Sequence, residues 1–150
     1  MLKRALFGAV LSAAVAVPAL ADEVEVKMLN KGANGDAMVF EPALIKIKPG
    51  DSVRFVPTDK PHNAQVVPKM LPEGAEAFEG GMNEEITVTF DQEGVYGVKC
   101  LPHYGMGMVA LVAVGESYPN LEDAKAVRHM GRGKQRFEAL FEELEAGTSS

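Results

Sequence analysis

The chain has 150 residues, 47% of them hydrophobic and 24% charged, with a formal net charge of −6. That length fits one domain with a modest core of its own. The acidic balance argues against nucleic acid as a partner, and a single cysteine leaves no intramolecular disulfide to form.

Residues 1–21 read as an export signal. Lys3 and Arg4 form a positive start, Leu6 to Val17 an apolar run, and Ala19-Leu20-Ala21 a small-x-small cleavage pattern, so cleavage is expected before Asp22. The apolar run is too short and too early for a membrane span, and nothing later in the sequence suits one. The mature chain, 22–150, is expected to be exported, to the periplasm if the source is a Gram-negative bacterium. Removing Lys3 and Arg4 from the 15 basic residues leaves 13 against 21 acidic ones, a formal charge of −8.

From Glu23 to Gly115 the sequence alternates with period two between turn signals. Val24 to Met28 is a strand, Asn30 to Asp36 a loop, Met38 to Phe40 a short strand and Leu44 to Lys48 another. Pro49-Gly50-Asp51 makes a turn. Strands are expected again at 53–56, 64–67, 86–90, 95–100 and 108–114. About eight short strands so spaced predict an all-β sandwich or barrel. Beyond about residue 117 the composition turns helical. Asn120 is read as an N-cap opening a helix that Gly131 and Gly133 end, and Lys134 to Glu145 as a second helix with Phe137, Leu140, Phe141 and Leu144 on one face. Both helices are expected to pack on the sandwich, and the Gly-Thr-Ser-Ser tail to fray.

The chemistry concentrates between Cys100 and Met108. The run Cys-Leu-Pro-His-Tyr-Gly-Met-Gly-Met puts a thiol, an imidazole and two thioethers into one loop between apolar strands. Thiolate, imidazole and a weak thioether suit copper cycling between two oxidation states, whereas zinc gains little from a thioether. The loop holds one imidazole, and His62, in another interstrand loop, is the candidate for a second. In an oxidising compartment a lone thiol needs protection. Metal ligation provides it, and an inert buried cysteine or an intermolecular disulfide are the alternatives.

Cys-x-Pro-His with Met108 beyond it, the His62-Asn63 pair upstream and the run Gly94 to Cys100 resemble the cupredoxins, and among them the pseudoazurins. The similarity extends to Phe40 to Leu44, Lys48 to Asp51, Val109 to Val112 and the two C-terminal helices. The resemblance implies a Greek-key β-sandwich carrying one type 1 blue copper ion. It also implies a periplasmic one-electron carrier, typically serving a copper-containing nitrite reductase in denitrification, with c-type cytochromes as further partners. It implies His62, Cys100 and His103 as trigonal ligands and Met108 as the long axial ligand. Met106 competes for the axial place, through a spacing that resembles amicyanin.

Around those ligands, Asn63 is expected to offer its N–H to the Cys100 sulfur and to tie the two loops with its side chain. Pro102 lacks an N–H and leaves the sulfur one donor short, which favours Cu(II). By analogy with the family, Met38, Pro57, Pro102 and Met106 form an apolar electron-exit patch around His103. Lys31, Lys60 and Lys99 are candidate docking charges. Tyr96 is read as core, and His129 as a surface or helix-end residue without a role. Three function classes compete: a redox carrier, a copper-trafficking protein with exposed exchangeable ligands, and an enzyme. Three histidines in all cannot build a second copper site, so an enzyme ranks last. A monomer is the simplest assembly. The potential is expected to rise at low pH if His103 leaves Cu(I).

Overall fold

The computed structural model describes residue 16 and residues 18–148. Residues 1–15 and residue 17 of the expected export signal lie outside the described residues, as do Ser149 and Ser150 of the tail.

Alternation sets the first sheet. In β1 (Glu23–Lys31), Val24, Val26 and Met28 turn inward while Glu23, Glu25 and Lys27 face out. This strand pairs antiparallel with β2 (Ala37–Glu41) and parallel with β4 (Ser52–Val56), and β4 pairs antiparallel with β6 (Ile86–Thr89). The order is β2-β1-β4-β6. Its outer face is charged, with Arg54 bonded to Glu23 at 2.9 Å and to Glu25 at 2.6 Å.

The second sheet runs β3 (Leu44–Ile47), β8 (Val109–Val114), β7 (Gly94–Lys99), β5 (Gln65–Val66). β3 and β8 are parallel, and the other two pairs antiparallel. Between the sheets lie Val26, Met28, Phe40, Phe55, Phe90, Tyr96, Val98 and Val112, with Cys100 and Met108 at one end of the same cluster. Parallel pairs joined by long crossings give the Greek-key sandwich that the resemblance implied.

The sequence Val109-Ala110-Leu111-Val112-Ala113-Val114 does not alternate, and every residue of it is buried. A strand reads this way when both faces are covered. Ala110, Val112 and Val114 face the other sheet, while Val109, Leu111 and Ala113 meet Phe137, Leu140, Phe141 and Leu144 of α2 (Gly133–Thr148). Each such side chain contributes about 1.5–3 kcal/mol on burial, so the helix is held by its apolar face rather than by propensity.

The structure departs from the sequence reading in four places. β1 continues through Asn30 and Lys31, because Lys31 still pairs with Ala37. The first helix, α1, spans only Leu121–Lys125, and the chain from Val127 to Met130 is irregular. Asn120 makes no side-chain cap. Instead its Oδ1 accepts from Val95 N at 2.9 Å and its Nδ2 donates to Val95 O at 2.8 Å. β5 is too short to reach Val95, and a buried peptide group needs a partner. At the other end, α2 runs on through Gly147 and Thr148.

Candidate metal centre

The β7–β8 hairpin makes the centre's larger part. Lys99 pairs with Val109, and just beyond them Cys100 N donates to Met108 O at 3.0 Å, so the two ends of the loop lie side by side. Within it Met108 N donates to His103 O at 3.2 Å, and a single 3-10 turn covers Tyr104–Met106. Gly107, at φ 92, closes that turn in a left-handed conformation that favours glycine. Cys100 and Met108 are 0% exposed, His103 is half-buried, and Leu101 and Met106 are 53% and 44% exposed.

His62 arrives from the β4–β5 connection, which crosses between the sheets, and is also 0% exposed. Asn83 grips its peptide from both sides: Asn83 Oδ1 accepts from His62 N at 3.1 Å, and Asn83 N donates to His62 O at 2.7 Å. The His62 ring is oriented by Asn30, whose Oδ1 lies 2.8 Å from Nε2. An amide oxygen only accepts, so Nε2 carries the proton and Nδ1 presents a bare lone pair to the interior.

Nδ1 of His62 lies 3.2 Å from Nδ1 of His103, and the Cys100 sulfur 3.7 Å and 3.6 Å from the two nitrogens. The centre of a triangle with those sides lies about 2.0 Å from each corner, a metal–nitrogen bond length. These residues form the one cluster of metal-binding type found among the described residues. Two imidazole nitrogens and a sulfur converging on one point at these distances are a set of metal-ligand type, so the donor set fits a bound metal.

Burial, and then the neighbouring His103, hold His62 below its ordinary pKa, against the pull of Asp59. Burial pushes the Cys100 thiol up, while backbone N–H groups of Asn63 and His103 favour the thiolate. The Asn63 side chain joins the two loops: its Oδ1 accepts from Leu101 N at 2.7 Å, and its Nδ2 donates to Gly80 O at 3.1 Å and Gln65 Oε1 at 2.9 Å.

The other residues singled out from sequence are more dispersed. Pro102 is exposed beside His103, Met38 and Pro57 are half-buried in β2 and just after β4, and Met38 packs on the inter-sheet core. Lys31 and Lys60 are exposed, and Lys99 Nζ sits 5.0 Å above the Tyr104 ring. His129 differs from its reading. It is half-buried, its Nδ1 is bonded to the Tyr104 hydroxyl, and its ring lies 4.4 Å from that of Phe137. The sequence reading also missed Asn30 and Asn83. Each acts on a histidine more than 20 residues away, and no local pattern announces such a contact.

Comparison with known proteins accords with this centre. Residues 26–115 match the copper-binding proteins of the plastocyanin/azurin family. A pseudoazurin of Methylorubrum extorquens is 50% identical over 148 residues, covering 97% of this chain and 99% of its own. One of Paracoccus pantotrophus is 50% identical over 126 residues, covering 84% and 86%. The crystal structure of pseudoazurin from Methylobacterium extorquens superposes with a TM-score of 0.78 at 53% identity, covering 82% of this chain and 99% of that one. Pseudoazurins are copper-binding electron-transfer proteins rather than enzymes. On its donors, its sheets and these matches, the chain belongs to the plastocyanin/azurin family of copper proteins, and within it to the pseudoazurins.

Proposed function

We propose that the chain is a periplasmic electron carrier that donates to a copper-containing nitrite reductase, with His62, Cys100, His103 and Met108 as its copper ligands. The observation that carries the reading is the triangle of His62 Nδ1, His103 Nδ1 and Cys100 Sγ, with sides of 3.2 to 3.7 Å. Met108 is preferred to Met106 because it is fully buried and its carbonyl accepts from Cys100 N, whereas Met106 is exposed.

Copper bound there supplies a one-electron couple. The residues do the rest: Asn30 fixes the His62 tautomer, the N–H groups of Asn63 and His103 stabilise the thiolate, and the sandwich excludes water from Cys100 and Met108. Such a frame changes little between oxidation states. Full burial of three of the four ligands speaks against handing the metal to another protein. His103 alone of the four is half-exposed, so a partner seated on Leu101, Pro102 and Met106 comes nearest to it. Lys31, Lys60 and Lys99 are the charges proposed to steer that encounter, and a small patch suits a transient complex of a monomer.

Family membership supports the partner and the compartment; among the described residues no helix is long and apolar enough to cross a membrane. The test is the visible spectrum of the mature protein, 22–150, with Cu(II). An intense blue band, bleached by ascorbate and lost in Cys100→Ser, is the expected result. A weak ligand-field band alone would overturn the ligand set. Oxidation of the reduced protein by purified copper nitrite reductase and nitrite tests the partner, and no oxidation above the buffer rate would remove it.

A further inference from the structure

The C-terminal extension reaches the ligand loop through the irregular segment that leads into α2. Arg132 N donates to Gly105 O at 2.9 Å. The Tyr104 hydroxyl is bonded to His129 Nδ1, and the His129 ring lies in turn against Phe137, the first apolar side chain of α2. Tyr104 and Gly105 form the turn between His103 and Met108.

The contact is too close to be incidental. A Cβ on Gly131 would collide with the Gly105 carbonyl oxygen, and one on Gly133 would lie 3.0 Å from Tyr104 Cε2. One on Gly107 would lie 2.9 Å from Arg136 Cγ. Three glycines, two in the extension and one in the loop, thus let two backbones meet where side chains would hold them apart. Arg136 also reaches Asp36 at 2.9 Å, in the β1–β2 loop that follows Asn30. The start of α2 therefore touches the ligand loop directly, and through Asp36 the connection next to the residue that orients His62.

We propose that the segment His129–Gly133 is a positioning element for the copper loop, holding the Tyr104–Met106 turn so that His103 and Met108 keep their relation to Cys100 with or without metal. A loop of this length bonded only to itself would open locally at little cost in free energy. Clamped from outside by a hydrogen bond to Gly105, a hydroxyl–imidazole contact and close glycine packing, it opens only when the extension lifts. Loop rigidity is what a carrier needs, since an electron crosses slowly where ligands must rearrange. The inference rests on the ligand assignment proposed above.

The test is amide hydrogen exchange in the metal-free, full-length mature protein. Met106 N donates to His103 O and Gly107 N to Tyr104 O, so these amides report opening of the turn. Gly131→Ala and His129→Phe are expected to speed exchange at Met106 and Gly107 several-fold. Leu144→Ala, which loosens α2 at its far end, should not do so at an equal loss of thermal stability. Tyr104→Phe removes only the hydroxyl and should act in the same direction with smaller size. With copper added, Gly131→Ala and His129→Phe should also change the ratio of the visible charge-transfer bands. Unchanged exchange in both, or an equal rise in Leu144→Ala, overturns the inference. A wild-type protein without a blue band would instead overturn the ligand assignment and leave the exchange result standing.

Discussion

Two loops bring donors to the centre, and they are held in different ways. The Cys100–Met108 loop caps a hairpin, so the β7–β8 ladder anchors its two ends through backbone bonds, and Arg132 N at Gly105 O ties its turn to the C-terminal extension. The His62 loop crosses between sheets and has no ladder of its own. Two asparagines distant in sequence hold it: Asn30 at the ring, whose own N donates to Asp59 Oδ2 of this loop at 2.8 Å, and Asn83, which bonds the His62 peptide through its side chain and its N–H. The hairpin ends keep their ladder bonds under most single side-chain changes, those at the contact between turn and extension apart, whereas the orientation of the His62 ring depends on one side chain.

That difference can be broken at Asn30. Asn30→Ala leaves the buried His62 Nε2–H without its acceptor and frees the ring to change tautomer. Copper affinity should fall about 10- to 100-fold, as for other residues that orient a ligand, measured by competition with a chelator. A change within twofold would mean that Asn83 alone suffices. Asn63→Ala tests the link between the loops. Leu101 N–H and Gly80 O lose their partner, and stability in urea should drop by about 1–3 kcal/mol.

The fold was legible because apolar alternation and turn residues are local signals. The unbroken apolar run of β8 is a local signal too, one that calls for cover on both faces, and the sequence reading passed over it in favour of alternation. The cluster of His62, Cys100 and His103 was legible as well, since two of its members stand within one loop and few histidines remained. What the sequence hid was contact between distant residues. Asn120 looks like a cap because asparagine often precedes a helix, yet the unpaired edge at Val95 claims its amide. His129 has no ligand-like neighbour in sequence, and only packing brings it to Tyr104. Asn30 sits at the end of an alternating strand, where nothing marks the face on which His62 arrives.

A subtler way to sharpen the comparison uses pH. Burial lowers the pKa of His62 in the metal-free protein, so the unfolded chain takes up its proton first. Stability is then complete above the ordinary histidine value of about 6.5 and is lost as pH falls from there through the lowered folded value. Urea titrations of metal-free protein at neutral and mildly acid pH should show this loss, and His62→Gln should reduce it. Equal slopes in both proteins would mean that other groups carry the pH dependence. The smallest effect expected is at Pro102. If Pro102→Ala brings a new amide to the Cys100 sulfur, the reduction potential rises slightly; an unchanged or lower potential would show that the hairpin keeps its donors regardless of that residue.

The doubly buried β8 has a consequence of another kind. Val109 to Val114 is uncharged, free of proline and rich in valine, the composition that assembles into cross-strand aggregates when exposed. In the native molecule neighbouring strands occupy both its edges and α2 covers its outer face. The helix is therefore a guard against self-association as well as a packing element. A chain shortened before Phe137 would leave Leu111 and its neighbours facing solvent, and would reach the insoluble fraction before any loss at the metal centre was measured.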